Sequence, residues 1–474
     1  MCMIPTKYIN QSRRIFIWFC ILFMISSVLN AGTYYVSPNG TASWSRAVNA
    51  STPCSVSVAM SSAVAGDIVY FRGGTYKAGQ SNNNSNLGYW NPTNSGTATN
   101  PITFKAYPGE IPIMDAYTSG QYVSRALGNG YKNYIIFDGF ILRGNNGDTY
   151  GSLAIAGSDQ RNKSNGCVVR NCTFIGARTD AITTDNISGL ALQDSVNTLV
   201  DKCLFYRYNH KTDYHNTSAV KMYHNDYTTI QNCEIYDSTV GIYDKSTNQY
   251  STYRYNYFHD CARAAIEVTA FSVDGNYNCR NGNICHNVFL RNGYIAILLD
   301  VNDTADTNNW NIYNNTFYNN FQTERIISFS TGTNRNFYNN IIIGNTREGL
   351  LRFVGKYTIA SCDHNQFGIS NFNVLAGSRY LTLSSWKKSG VLVGGANPGE
   401  GSLASDPKFI NSSGAMNSLN DFRLASDSPC KGAGRKGVDM GANIDLIGAI
   451  SAPPITTQDL KPPASPLNIS IQPL

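Results

Sequence analysis

A chain of 474 residues with only 14% charged side chains, 12% aromatic ones, 41 Gly and 30 Tyr does not read as a cytosolic helical protein. Aromatic and β-branched residues suit strands while Asn and Gly suit turns, so the composition points to an extracellular all-β chain. Setting aside the first 31 residues leaves 34 basic against 31 acidic ones, too even a balance to argue for nucleic acid as a partner.

Lys7, Arg13 and Arg14 precede an apolar run from Ile15 to Val28, and Ala31 offers a cleavage point before Gly32. The run is short for a membrane span of about 20 residues. Residues 1–31 are therefore expected to be a signal peptide, and the mature chain to be secreted, extracellular and without stable membrane insertion. Ten cysteines remain: Cys54, Cys167, Cys172, Cys203, Cys233, Cys261, Cys279, Cys285, Cys362 and Cys430. An even number permits disulfides, and small inward-facing thiols are the alternative. No CxxC pair suggests a zinc ribbon or a thioredoxin-like centre. One helical signal stands out, near Ser55 to Ala65, and it is expected to close the first turn of a longer repeat.

That repeat dominates the middle of the chain. CVVRNCTFIGA, TLVDKCLFY, TTIQNCEIYD, STYRYNYFHD, GNICHNVFLRN, WNIYNNTFYNN and RNFYNNIIIGN follow one another, each an alternating apolar stretch with a polar pivot. Taking the pivots as Asn171, Lys202, Asn232, Asn256, Asn287, Asn315 and Asn340 gives spacings of 31, 30, 24, 31, 28 and 25 residues. A parallel coil has this period: short strands alternate side chains into one core, and like residues stack at about 4.8 Å from rung to rung. Asn tolerates the left-handed corner, and its amide can bond to the Asn above and below. Cys172, Cys203 and Cys233 would share an inward column. The fold expected is a right-handed single-stranded parallel β-helix over residues 32–450 with a short N-terminal capping helix. Residues 401–450 would form its last, less regular rungs, and the Pro-rich residues 451–474 a tail or linker.

Two terminal stretches carry a family resemblance. TYYVSPNGTAS (33–43) with GDIVYFRGGTY (66–76), and SDPKFINSSGAMNSLNDFRLASDSPCKGAG (405–434), resemble the pectate-lyase-like β-helix superfamily. That superfamily includes polysaccharide lyases, glycoside hydrolases, epimerases and non-enzymatic proteins, so the resemblance implies the fold more narrowly than the activity.

Candidate chemistry lies on the middle rungs, in AVKMY (219–223), GIYDK (241–245), AAIEV (264–268) and AILLD (296–300). With Val220, Met222, Ile242, Ile266, Val268, Ile297 and Leu299 inward, alternation turns Lys221, Tyr243, Lys245, Glu267 and Asp300 outward. Asp244 falls on the inward register beside Lys245. Cations beside carboxylates suit β-elimination from a uronate polymer, which needs a base at C5 and neutralisation of the substrate carboxylate. Lys245, in IYDKSTNQYSTYRYN, is similar to the asparagine-lysine-serine strand of the alginate-lyase and chondroitinase-B type of lyase, which implies a lysine base. Asp244 stands where that family has asparagine, its arginine acid would fall near Val268, and Ser238 and Val240 occupy the places of its calcium glutamates. The catalytic candidates are Lys245, Lys221 and Arg263; Asp244, Glu267 and Asp300 are candidate ligands for Ca²⁺. Tyr243, Tyr223, His224 and Arg254 are candidates for sugar binding, since aromatic faces stack on pyranose rings. His210 and His215 cluster with His224, and Asp180 and Asp185 sit on an earlier rung.

The leading expectation is a secreted, monomeric polysaccharide lyase acting on an acidic polysaccharide. A non-catalytic glycan-binding or cell-surface coil is the alternative, and a glycoside hydrolase with a spaced carboxylate pair comes third. Each bland reading stays open: Lys221 with Glu267 as a surface ion pair, Asp300 as the start of a turn.

Overall fold

The computed structural model describes residues 31–79, 87–118, 121–122, 125–143, 152–176, 187–209, 216–269, 279–300, 309–320, 327–329, 332–344, 351–353, 357–368, 374–376, 379–388, 398–414 and 416–448. Most of the expected signal peptide, the expected tail after 450, Asp180, Asp185, His210 and His215 lie outside them. No helix among the described residues is long and apolar enough to cross a membrane.

Three sheets wind into a right-handed parallel β-helix. The first has twelve strands from Thr33–Val36 to Tyr357–Asp363, the second twelve from Gly74–Lys77 to Leu403–Ala404. The third has eleven and begins at Leu127–Gly128; all its pairings are parallel except the last, Val374–Ala376 with Arg379–Leu381. Each turn of the chain adds one strand to each sheet. Helix α1, Val56–Ser62, is capped by the Ser55 side chain, buries Val56, Ala59 and Met60, and so covers the first rung.

Alternation fills the core with columns. Phe174, Phe205, Ile235, Phe258, Phe289, Phe317 and Ile342 are successive partners on the second sheet and fully buried. The Phe258, Phe289 and Phe317 rings stack at 5.1 and 4.7 Å. Each such side chain is worth roughly 1.5–3 kcal/mol of burial. All ten cysteines of the described chain are free and buried.

The corner between the first and second sheets corrects the pivot reading by one residue. Asn171, Lys202 and Asn232 align with Tyr255, His286, Asn314, Asn339 and His364, and all eight have φ between 50° and 57°. The position after them runs Cys172, Cys203, Cys233, Asn256, Asn287, Asn315, Asn340 and Asn365. One column therefore supplies the left-handed turn and its neighbour supplies the stacked amides. The step from Cys233 to Asn256 is 23 residues, the shortest in this column.

A second correction concerns the C-terminal segment. Among the described residues after Leu403–Ala404 no further strand is added. Instead Phe409, Met416, Phe422, Cys430, Met440 and Ile444 pack on Tyr257, Val288, Leu290 and Ile341, outward residues of the second sheet. Arg435 pairs with Asp363, Gly441 N bonds to Asn339 O, and Gly448 reaches Asn232, so the segment returns along the coil towards its middle.

Candidate functional site

The outward face of the third sheet, over strands Ser218–Tyr223, Val240–Lys245 and Ala264–Thr269, gathers most of the expected residues. Register places Ala191, Lys221, Tyr243, Glu267 and Leu298 in one outward column, and Gln193, Tyr223, Lys245, Thr269 and Asp300 in the other. The inward set Val220, Met222, Ile242, Ile266, Val268, Ile297 and Leu299 is wholly buried, as alternation requires.

Outward here does not mean wet. Lys221 is 1% exposed, Tyr243 1% and Glu267 2%. Lys245 is also buried, and Tyr223, Thr269 and Arg263 form the part-exposed edge of the group.

The two lysines live in different surroundings. Lys245 Nζ donates to Asn216 Oδ1 at 3.2 Å and lies 5.5 and 5.4 Å from the ring centres of Tyr223 and Tyr243. Such faces favour a cation. Burial lowers the Lys245 pKa, while Glu267 acts to raise it. Lys221 Nζ is buried with no hydrogen-bond partner. Burial, with the charge of Lys245 next, brings its pKa down to about 7. At neutral pH a substantial fraction of Lys221 is therefore a free amine.

Glu267 is fixed by two neighbours. Arg263 Nε donates to its Oε2 at 3.0 Å and Thr269 Oγ1 to its Oε1 at 3.3 Å. The Arg263 guanidinium also lies 5.6 Å from the Tyr294 ring centre. Burial, then the charge of Glu267, pushes the Tyr243 hydroxyl well up.

Three of the sequence candidates stand apart. Asp244 faces the core: Tyr253 Oη donates to it at 2.5 Å and Asn248 Nδ2 at 2.7 Å, and burial raises its pKa. Arg254 ends a strand of the first sheet, where its Nε donates to Gln231 Oε1 at 2.9 Å. His224, at the corner after Tyr223, has its Nδ1 3.2 Å from Asp194 Oδ1 and its Nε2 3.4 Å from Gln160. Asp300 pairs through its backbone with Thr269, one rung beyond Glu267.

The expected calcium ligands do not converge. Asp244 points inward, Glu267 is bound by Arg263, and among the described residues no three His, Cys, Asp or Glu side chains come together. A calcium ion takes six to eight oxygens, and Asp244 and Glu267 do not present theirs together.

Asn216 and Thr269 escaped the sequence reading. Thr269 continues the outward alternation of its strand and was findable by register. Asn216 precedes its strand, where alternation gives no direction.

No protein-family model matches the chain, and no curated protein matches it either. Among solved structures it is similar to pectate lyase Pel9A, at TM-score 0.46 and 15% identity over 86% of this chain and 95% of that one. An alginate lyase from Paenibacillus sp. str. FPU-7 gives 0.48 and 15%, covering 69% and 99%. A rhamnogalacturonan lyase gives 0.44 and 14%, covering 76% and 92%. These are likenesses of fold.

Proposed function

We propose that the chain is a secreted, monomeric polysaccharide lyase that cleaves an acidic, uronate-bearing glycan by β-elimination. One observation carries this reading: Lys245, held by Asn216 between the Tyr223 and Tyr243 rings, lies next to the part-exposed edge of the outward face of the third sheet. β-Elimination needs an uncharged base for the C5 proton and a nearby cation for the carboxylate. Lys245, whose pKa burial lowers, suits the base, and Arg263 at the part-exposed edge suits the cation. The tyrosines of the edge suit the faces of sugar rings. A hydrolase would need a carboxyl free to act as acid, whereas Glu267 is held by Arg263 and Thr269.

The test is ultraviolet absorbance of the unsaturated uronide, with purified mature chain on pectate, alginate and chondroitin, with and without chelator. Product that forms equally in chelator supports the reading. No product on any of the three, with binding retained, favours the non-catalytic alternative.

A further inference from the structure

On the lyase reading above, we infer that Tyr223 is the acid of the reaction: its phenol hydroxyl gives a proton to the oxygen that leaves C4, while Lys245 takes the C5 proton.

Elimination breaks bonds on two neighbouring carbons, so base and acid must stand a few ångströms apart, each within hydrogen-bond reach of its atom. Column neighbours on adjacent rungs are about 4.8 Å apart. Lys245 has two such neighbours, Tyr223 on the rung before it and Thr269 on the rung after. Both stand at the part-exposed edge of the group, where a polymer can meet them. Lys245 Nζ lies 5.5 Å from the centre of the Tyr223 ring, so the amine and the phenol are already adjacent.

The other groups near Lys245 are committed or out of place. Thr269 Oγ1 donates to Glu267, and an alcohol gives up a proton far less readily than a phenol, whose ordinary pKa is about 10. Tyr243, the second ring beside Lys245, is 1% exposed, and burial pushes its hydroxyl well up. Arg263 cannot be deprotonated, and its Nε is held by Glu267, so it serves as a cation. Asp300 stands two rungs from Lys245. The lyases that the Lys245 strand resembles have an arginine acid near the place of Val268, and here Val268 is buried on the inward register. That departure leaves the acid to be found elsewhere, and Tyr223 meets its requirements of reach, exposure and acidity.

The step balances. Lys245 Nζ takes the C5 proton, and the C–H electron pair passes into the carboxylate as an enolate, with the Arg263 guanidinium stabilising the charge. The pair then returns to form the C4–C5 double bond as the C4–O bond breaks, and the departing oxygen takes the Tyr223 proton. Lys245 is an ammonium at that moment, and a positive charge beside the ring favours the phenolate left behind. Transfer of the proton from Lys245 to Tyr223 restores both groups.

Tyr223→Phe tests this, because it keeps the ring beside Lys245 and removes only the hydroxyl. Turnover of the three uronate polymers is measured for wild type, Tyr223→Phe and Tyr243→Phe, with far-ultraviolet circular dichroism to confirm the fold. The uncleaved polymer is recovered from deuterated water, and proton magnetic resonance reads the loss of hydrogen at C5. Tyr223→Phe should lower kcat by about 10²–10⁴ with KM little changed, while the intact polymer still gains deuterium at C5. Tyr243→Phe should keep turnover within about tenfold of wild type. A Tyr223→Phe enzyme with wild-type kcat, or one that loses exchange and elimination together, overturns the assignment and leaves the lyase reading standing. A wild type inactive on all three polymers overturns that reading and the acid with it.

Discussion

The corner between the first and second sheets repeats one residue over five rungs, while the outward face of the third changes residue at nearly every rung. In the corner ladder, Asn287 Nδ2 donates to Tyr253 O and to Asn315 Oδ1, and its own Oδ1 accepts from Asn256 N and Nδ2. Asn315 and Asn340 repeat the pattern. Every amide is saturated by its neighbours. On the third sheet Ala191, Lys221, Tyr243, Glu267 and Leu298 succeed one another, and the Lys221 amine is left unsatisfied. Repetition lets a coil satisfy its own polar groups. A break in repetition that leaves a polar group without a partner marks a place where folding alone does not account for the residue.

The sharpest way to test this contrast is through activity. Lys245→Ala gives up the Asn216 bond and two ring contacts at the edge of the group, so the coil should hold while turnover falls by about 10²–10⁴. A Lys245→Ala enzyme that keeps wild-type turnover would remove the distinction between the two surfaces.

Asn287→Ala should do the reverse. It strands the Asn256 backbone N–H and takes one bond each from the Asn256 amide, the Tyr253 carbonyl and the Asn315 oxygen in a fully buried column. A loss of about 3 kcal/mol is expected in denaturant unfolding, since orphaned buried groups cost about 1–3 kcal/mol each and part of that is relieved by relaxation. Turnover per folded molecule should not change.

Lys221→Met extends the contrast to pH. The folded chain binds the Lys221 proton with a pKa of about 7, against an ordinary value near 10.4 in the unfolded chain. Between those values the unfolded chain holds a proton that the folded one lacks, so wild-type stability rises with pH across that window. Below about 7 the penalty for the buried charge is complete. Lys221→Met should therefore stabilise the coil by about 2 kcal/mol near pH 6, and by less as pH approaches about 9. Thermal melts of both proteins at the two pH values decide it. A gain that does not depend on pH would mean that Lys221 is not the buried amine described here.

Much of this was legible in the sequence, and the misreadings have physical causes. Alternation assigned the inward and outward residues of the third sheet correctly, because a period of two needs no knowledge of the corners. It could not show that outward Lys221 and Glu267 are screened from water, since exposure depends on what else packs there. The pivot column slipped by one residue because consecutive polar residues occupy the left-handed and stacked positions. In Asn314–Asn315 and Asn339–Asn340 the two are chemically identical, and only φ distinguishes their roles. Arg254 looked close to Lys245 in sequence, yet nine residues carry the chain round a corner to another sheet. Asp244 belongs to the core because Tyr253 and Asn248, on later parts of the same rung, reach back to it.

The smallest expected effect lies where the ladder changes material. Cys233 N donates to Asn256 Oδ1 at 2.9 Å, so the amide column already reaches the thiol rung through the backbone. The Cys233 thiol points towards Val200 O at 4.0 Å and Gln231 O at 3.1 Å. An asparagine there would present its Nδ2 to Val200 O and Asn256 Oδ1, as Asn256 does to Ile230 O and Asn287 Oδ1. Its Oδ1 would face Cys203 N, which now donates to the Cys233 sulfur at 3.4 Å. Cys233→Asn gains these amide bonds and loses only weak thiol contacts, against the overpacking of one larger side chain. The two terms nearly cancel, and stability should stay within about 1 kcal/mol of wild type. If the variant instead lost several times that in a thermal melt, the thiol rungs would be closed to an amide by their packing. The change from cysteine to asparagine would then be a matter of volume at the corner, not of interchangeable ways to fill one column.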